Sequence, residues 1–184
     1  MLRMPRRGFI TRVDLVAVAT ALAPRLIAYA QARTGCRSTA EDIAQDALTA
    51  LVRRWRHAGP PESPEAFAFA IAKRRAGRAV AKRALLAPLE ALRHVAGREP
   101  TAARSHEDRS ELAYVRSLLV RLPRADREAL MLRAAGELSF DEIAALMRTS
   151  PAAVKMRISR ARRKLSMLLQ ESADADGKRR TRTA

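Results

Sequence analysis

The sequence contains few of the residues that build redox, metal or nucleophilic sites. Its 184 residues include a single cysteine, Cys36, so no disulfide can form within the chain. A lone cysteine is more often a small, partly buried hydrophobic residue than a nucleophile or a sensor thiol. The three histidines, His57, His94 and His106, lie far apart without the spacing of zinc ligands, and phosphate-binding glycine loops and nucleophile motifs are missing. We therefore expect a protein that is not an enzyme, with no catalytic residue, no metal site and no cofactor.

Long apolar runs are missing as well. No stretch approaches the roughly 18 consecutive apolar residues that a membrane-spanning helix needs. A basic start precedes the apolar stretch Val13–Ala23, but Asp14 and Pro24 interrupt the pattern and no small-residue cleavage site follows. We interpret this stretch as part of an amphipathic helix and expect no membrane insertion. The scarcity of cysteine fits a reducing compartment, which indicates a cytoplasmic protein.

Acidic and aromatic residues are scarce beside the basic ones. The chain has 36 lysines and arginines against 19 aspartates and glutamates, a net charge of +17, and its aromatic residues amount to 4%. Such an excess of positive charge is typical of proteins that bind a polyanion, either nucleic acid or an anionic membrane surface.

The residues that are present favour helices. Alanine is abundant, β-branched residues are few and no stretch alternates as a strand does, so the sequence predicts an all-α protein. Thr39 is a plausible N-cap for the second helix, and Phe67, Ile71 and Val80 mark the expected buried side of the third. Apolar periodicity and the breakers Gly35, His57–Pro64, Pro123 and Gly136 predict helices over about residues 11–34, 38–56, 64–86, 108–122 and 125–135.

Changes in composition divide the chain into two helical domains. Residues 86–106 carry two prolines, a glycine and weak periodicity, which indicates a mostly extended, flexible linker with a short helical turn around residues 89–95. The end of the chain is small, polar and charged, which is typical of disorder. The predicted organisation is an N-terminal tail over 1–10, a helical domain over 11–85, the linker over 86–106, a second helical domain over 107–171 and a disordered tail over 172–184.

Residues 137–168 carry the strongest motif. Ser139 and Glu142 form the pattern of a capping box, and Ser150 followed by Pro151 begins a second helix after a tight turn. One stripe of that second helix is apolar, with Val154, Ile158, Ala161 and Leu165. The opposite face holds Ala152, Met156, Ser159 and Arg163, flanked by Lys155 and Arg160.

Two short helices joined by a tight turn, with the second one basic, form a helix-turn-helix. The second helix of such a motif enters the major groove and its first turns reach base edges, while flanking cations neutralise phosphates. The alternative is a solvated basic helix in an ordinary bundle. The caps, the turn, the narrow apolar stripe and the basic face occur together, which favours DNA binding.

The stretch LPRADREALMLRAAGELSFDEIAALMRTSPAAVKMRISRARRKL, residues 122–165, closely resembles region 4 of sigma-70 family factors. Residues 38–55, STAEDIAQDALTALVRRW, and residues 63–84, SPEAFAFAIAKRRAGRAVAKRA, resemble region 2. No segment is long enough for region 1.1 or region 3. This two-domain form resembles the extracytoplasmic-function (ECF) group. The resemblance implies a region 2 bundle and a region 4 helix-turn-helix joined by the linker. It also implies a transcription initiation factor that binds core RNA polymerase through its β′ and β subunits and directs it to promoter DNA.

The resemblance assigns three sets of contact residues. The helix that docks on the β′ coiled coil in the family corresponds to Asp42, Gln45, Asp46, Thr49 and Arg53. The residues matching those that read and open the −10 element are Phe67, Lys73, Arg74, Arg75, Arg78, Lys82 and Arg83. The −35 contacts correspond to Ser150, Ala153, Lys155, Arg157, Arg160 and Arg163, with Ala152 and Met156 at neighbouring DNA-facing positions.

This sequence departs from the family pattern at a few of these positions. Phe67 stands where the family usually has tryptophan, Arg74 where asparagine is common and Arg78 where aspartate is common. The two arginines remove polar groups and add charge, which favours backbone binding over base-specific reading of the −10 element. Ala152 and Ala153 replace a frequent Gly-Thr pair, so one hydroxyl contact is lost.

The sequence leaves other functions open. A stand-alone helix-turn-helix regulator would bind duplex operators as a dimer without polymerase. The acidic residues Asp42 and Asp46 on the second predicted helix, and the resemblance to region 2, argue against it. A decoy that only sequesters an anti-sigma factor gains nothing from the high positive charge, and a non-specific compaction protein would show weak sequence preference. The family resemblance further implies an anti-sigma factor that covers the DNA- and polymerase-binding faces.

Overall fold

The computed structural model describes residues 12–93 and 106–181, and the side chains of residues 15–86 and 113–172. The described residues form helices and no strand, which confirms the all-α class and its two helical regions. The helices are α1 Arg12–Thr34, α2 Arg37–Ala58, α3 Pro64–Arg93, α4 His106–Val120, α5 Arg124–Gly136, α6 Phe140–Met147 and α7 Pro151–Thr181. The chain forms two compact units, Met1–Arg78 and Ala79–Ala184.

The first unit is built on a helical hairpin in which α1 packs along α2. Gly35 ends α1 with a φ of 71°, a left-handed conformation that glycine adopts without strain. The apolar stripe of α1 and the alanine-rich face of α2 close on each other, because side chains three and four residues apart share one face of a helix. The fully buried residues here include Leu22, Leu26, Tyr29, Ala30, Ala40, Ala47 and Leu51.

Helix α1 also has the length and composition of a membrane-crossing helix. Its segment Leu15–Thr34 has a mean hydropathy of 1.4, although no single run of apolar residues suggested it. Composition of this kind is shared by core helices and by signal sequences. Leu22 and Leu26 are buried in the hairpin with α2, so α1 contributes to the core of the first unit.

Helix α3 buries a different side from the one that the sequence predicted. The large buried side chain of α3 is that of Phe69, whose ring meets the Tyr29 ring edge to face at a centroid distance of 5.5 Å. Ala68, Ala72 and Ala76 of α3 are buried as well. Val80, an expected core residue, is 41% exposed. The alanines allow close approach of the helix, so packing on Tyr29 selects this face over the larger side chains.

The second unit packs α7 against α5 and α6, with α4 contacting α5 and α7. Large apolar residues from each of these helices form one core, which is the expected solution for short amphipathic helices. The core is lined by Leu118, Leu122, Ala129, Leu132, Leu138, Ile143, Val154, Ile158, Ala161 and Leu168.

Several helix ends differ from the prediction. Helix α2 begins at Arg37 with an extended Cys36 as N-cap, so Thr39 is not the cap. The left-handed residue after α5 is Glu137, while Gly136 lies inside the helix. Helix α3 continues to Arg93, so residues 87–93 of the predicted linker are helical, and the helical turn expected around residues 89–95 is part of α3 as far as Arg93. Residues 94–105 lie outside the described part. Alanine, leucine, glutamate and arginine, all strong helix formers, dominate that extension.

Helix α7 likewise runs to Thr181 through most of the tail predicted to be disordered. The predicted N-terminal tail over 1–10 and residues 182–184 lie outside the described residues.

Candidate polymerase and nucleic-acid interfaces

The exposed face of α2 carries all five residues predicted to bind polymerase. Asp42, Gln45, Asp46, Thr49 and Arg53 follow steps of three and four residues, so they form one polar row along the helix, and each is exposed. The opposite face is buried against α1. The row therefore belongs to a helix that is held in place from behind and is open to a partner.

An apolar groove of about 500 Å³ lies beside this row, between α1 and α2. Ile27 of α1 and Leu48 and Val52 of α2 contribute apolar surface to it, while Gln45 and Arg53 from the polar row also line it. A groove with an apolar floor and polar edges offers both area and orientation to a docking helix. The sequence pattern identified the polar row but not the groove, because the groove requires the packing of two helices.

Asp46 and Arg75 join the α2 row to the basic helix α3. Arg75 Nη1 lies 3.2 Å from Asp46 Oδ2, and the two side chains are 48% and 46% exposed. An ion pair this exposed contributes little to stability. It does mean that one predicted polymerase residue and one predicted DNA residue neutralise each other in the free protein.

The loop before α3 is held by contacts that the sequence did not reveal. Arg54 Nη1 donates a hydrogen bond of 2.6 Å to the carbonyl of Gly59, which has a φ of 76°. Ser63 caps α3, because its Oγ accepts from the backbone N–H of Ala66 at 3.1 Å. The loop between α2 and α3 is thus held by hydrogen bonds near both of its ends. Only the cap has a sequence signature.

Helix α3 displays its cations outward. Arg74, Arg75 and Arg78 are exposed on the first unit's part of the helix, and Lys82 and Arg83 continue the series beyond it. Lys73 and Phe67 are half-buried. The ring of Phe67, which stands where the family usually has tryptophan, is therefore only partly accessible to a DNA base. Clustered cations of this kind suit phosphate contacts.

The helix-turn-helix is built by caps on both sides of a short turn. The structure confirms the capping box of α6, with Ser139 Oγ accepting from the Glu142 N–H at 3.2 Å and the Glu142 carboxylate accepting from the Ser139 N–H at 2.7 Å. Arg148 ends α6 in a left-handed conformation with a φ of 52°. Ser150 Oγ then accepts from the Ala153 N–H at 3.2 Å, so the N-cap of α7 is also as predicted.

The first four turns of α7 separate an apolar and a basic face. Val154, Ile158 and Ala161 are buried against α5 and α6, while Lys155 and Arg163 are exposed. The remaining predicted −35 residues are the exposed Ser150 and Arg160 and the half-buried Ala153 and Arg157. All six predicted −35 residues therefore lie on the turn or on one helix that is anchored by its opposite face.

Arg160 does more than the sequence indicated. Its Nη2 donates to Asp126 Oδ1 of α5 at 3.1 Å, and the Asp126 side chain is only 7% exposed whereas that of Arg160 is 55% exposed. Asp126 lies in the first turn of α5, where a carboxylate is favoured by the helix dipole. The pair ties the candidate recognition helix to α5 and leaves much of the guanidinium open.

Arg133 is a second structural cation that the sequence did not single out. Its Nη1 donates to the carbonyl of Leu138 at 2.7 Å, and its guanidinium lies 5.5 Å from the centroid of the Phe140 ring. These contacts fix the approach of α5 to the start of α6 across the left-handed Glu137. An arginine in a basic sequence gives no signal of such a role.

Cys36 lies at the corner between α1 and α2 and is partly exposed. Its Sγ is 3.3 Å from Ser38 Oγ. Hydrogen bonds from Ser38 and then Thr39 lower the pKa of the thiol to about 7. The lower pKa favours the thiolate form near neutral pH. Among the described residues, no group of three or more histidine, cysteine, aspartate or glutamate side chains could hold a metal ion.

Comparisons with known proteins match both halves of the chain. The family profile described as Sigma-70 region 2 matches residues 18–85, and that described as Sigma-70, region 4 matches residues 112–165. The RNA polymerase sigma factor CnrH of Cupriavidus metallidurans is 40% identical over 89 residues, 48% of this chain and 47% of CnrH. The sigma factor NccH of Alcaligenes xylosoxydans xylosoxydans is 41% identical over 73 residues, 40% of this chain and 39% of NccH. The chain thus spans about half or less of the length of these curated relatives.

Solved structures extend the likeness to most of the chain. CnrH in complex with the cytosolic domain of CnrY is similar with a TM-score of 0.64 and 25% identity, covering 88% of this chain and 91% of that one. The sigma factor RpoE from Bartonella quintana, in complex with the anti-sigma factor NepR, is similar in fold with a TM-score of 0.64. Its identity is 24%, and the match covers 85% of this chain and 97% of that one.

Proposed function

This chain belongs to the sigma-70 family of RNA polymerase sigma factors, and from that premise we propose that it is a transcription initiation factor of the ECF type. It binds core RNA polymerase and directs it to promoters by contacting the −10 element through region 2 and the −35 element through region 4. It acts by binding, in the cytoplasm, and performs no covalent chemistry itself. The observation that carries the proposal is the presence, in one chain, of the open α2 row and of a capped helix-turn-helix with an outward basic face.

The polymerase contact is assigned to the α2 row and its groove. Asp42 and Gln45 begin the row, and the groove beside it offers apolar surface from Ile27, Leu48 and Val52. A helix of the β′ coiled coil can place apolar residues in that groove and its cations against Asp42. Asp46 is available to such a partner only if its ion pair with Arg75 opens.

The promoter contacts are assigned to the two basic helices. The outward cations of α3, with Arg74 and Arg78 foremost, suit phosphates around the −10 element more than base edges. In region 4 the N-terminus of α7 and the exposed Lys155 and Arg163 suit a major-groove docking at the −35 element. Each contact alone is weak, and tethering both to polymerase raises their effective concentration at one promoter.

A regulatory partner is part of the proposal. CnrH and the Bartonella quintana sigma factor were each solved with a bound protein, the cytosolic domain of CnrY in one case and the anti-sigma factor NepR in the other. An anti-sigma factor of this chain would have to cover the α2 row or the α7 face to block activity. The groove of α1 and α2 supplies apolar area for such a contact.

The first experiment is co-elution of the full chain with bacterial core RNA polymerase at physiological salt, followed by transcription from a promoter pool. We expect a stable complex that the charge reversal Asp42→Arg weakens by at least tenfold. Asp141→Arg is the matched control, because Asp141 is an exposed acidic residue on α6, far from α2 in sequence. Failure of the folded protein to bind polymerase would contradict the proposal, and dimerisation with duplex binding would then favour a stand-alone regulator.

A further inference from the structure

The middle of the candidate recognition face is apolar. Met156 is 59% exposed on the side of α7 opposite the buried Val154 and Ile158. Single exposed apolar side chains are common on protein surfaces, so the position of Met156 within a basic face matters more than its exposure. Ala152, one turn earlier on the same face, is exposed too. These two positions carry no side-chain hydrogen-bonding group.

The surroundings of Met156 restrict what it can touch. The basic residues Lys155, Arg160 and Arg163 lie around it on the same outward side of α7, so a nucleic acid held by those cations would meet Met156 at its centre. The base edges in the major groove present donors and acceptors, and one apolar group, the 5-methyl of thymine. A thioether side chain is flexible and polarisable, and it suits contact with a methyl group.

We propose that Met156 is a specificity-determining residue that reads the 5-methyl of a thymine in the −35 element, with Ala152 widening the apolar contact. This inference rests on the proposed function, since it requires α7 to dock in the major groove. The selectivity comes from burying apolar surface between the two groups. The surrounding arginines and lysine hold the backbone and contribute no preference for this base.

The size of the effect follows from one methyl group. Burial of one methyl or methylene group contributes about 0.8 kcal/mol, and a tenfold change in affinity corresponds to about 1.4 kcal/mol. Replacement of the contacted thymine by deoxyuridine removes only that methyl, and leaves the base-pairing and hydrogen-bonding edges unchanged. We therefore expect about a fourfold loss of affinity from this single replacement.

The test begins with selection of bound duplexes from a randomised pool by the full-length protein. Each thymine of the enriched −35-like sequence is then replaced, one at a time, by deoxyuridine, and binding is measured at fixed salt for wild type and for Met156→Ala. The control variant is Met167→Ala, because Met167 is 55% exposed three turns further along the same face of α7.

The proposal expects one thymine at which deoxyuridine weakens wild type and Met167→Ala about fourfold, and leaves Met156→Ala unchanged. An enriched sequence at which no thymine shows this dependence on Met156 would overturn the inference, while DNA reading by region 4 would stand. If the pool yields no enriched sequence, the inference is overturned. The free protein then does not bind DNA sequence-specifically. Promoter-dependent transcription by the holoenzyme then decides whether the proposed function survives.

Discussion

Loss of Arg160 should destabilise the second unit more than loss of its partner Asp126. The Asp126 side chain is 7% exposed and that of Arg160 is 55% exposed, with 3.1 Å between the paired atoms. Arg160→Ala leaves a carboxylate in the protein interior without its cation, whereas Asp126→Ala leaves a guanidinium that water can solvate. The pair is intermediate between exposed pairs, at about 0.2–1 kcal/mol, and buried pairs, at about 3–5 kcal/mol when one partner is removed. We expect losses of about 2 kcal/mol for Arg160→Ala and about 1 kcal/mol for Asp126→Ala.

The two units can be followed separately in the full chain. The only tryptophan, Trp55, lies in α2 of the first unit, so its fluorescence reports that unit, while far-ultraviolet circular dichroism reports all helices. A dichroism transition without a fluorescence change therefore belongs to the second unit, and a single two-state fit is not valid for the whole chain. A loss of 1 kcal/mol lowers the melting temperature of a small domain by about 4–8 °C.

A matched control and a double variant complete this test. Arg163→Ala removes an exposed cation from the next turn of α7, and we expect a change within about 0.5 kcal/mol. The double variant of Asp126 and Arg160 should reveal a coupling of about 1 kcal/mol. If Arg160→Ala lowers the free energy of unfolding no more than Arg163→Ala does, the reasoning that this pair fastens the recognition helix is refuted. A coupling energy below about 0.3 kcal/mol would refute it as well.

Further predictions concern single residues. Cys36 should react with iodoacetamide at a rate that rises with pH through a midpoint near 7, because hydrogen bonds from Ser38 and Thr39 lower its pKa and favour the thiolate. In Ser38→Ala the midpoint should move up, and a wild-type midpoint near 9 would contradict the assignment. Because the pKa of Cys36 is lower in the folded state, the thiolate contributes to the free energy of unfolding. This contribution should be fully present above about pH 9 and lost as pH falls through 7. Unfolding of wild type and Cys36→Ala at several pH values measures it. Arg148→Gly should raise the free energy of unfolding of the second unit by about 0.5–1 kcal/mol, since relief of the left-handed strain, about 1–2 kcal/mol, exceeds the extra conformational entropy that glycine loses on folding. Phe69→Ala should lower that of the first unit by about 3–5 kcal/mol in Trp55 fluorescence, because Phe69 is fully buried against Tyr29. A loss below 1 kcal/mol would show that α3 does not pack there.

Local rules account for much of what the sequence predicted correctly. The capping box of Ser139 and Glu142, the N-cap of Ser150 and the stop at Gly35 depend on hydrogen bonds and backbone angles within a few residues. The buried stripe of α7 depends on periodicity alone. Such features do not depend on the neighbouring helices, so the helix-turn-helix and its outward basic face follow from the amino-acid sequence alone.

The errors arise where several local solutions compete. Thr39 was the predicted N-cap of α2, but the helix begins at Arg37 with Cys36 as its N-cap, directly after the left-handed Gly35. The sequence of α3 offered the side with Val80 for burial, while the Tyr29 ring and the small alanines select the side with Phe69. The prolines after residue 86 indicated a linker although the alanine, leucine, glutamate and arginine there favour a helix, and the small and charged residues after 171 indicated disorder where α7 continues.

Sequence by itself therefore determined the helical class, the two-region organisation, the excess of positive charge and the helix-turn-helix. All of these follow from composition, from periodicity and from contacts between near neighbours in the chain. Tertiary structure alone decided the groove between α1 and α2, the pairing of Asp46 with Arg75 and the fastening of Arg160 to Asp126. These features join residues that are distant in sequence. Their charges and shapes become complementary only when packing of the apolar faces has fixed the distances between helices.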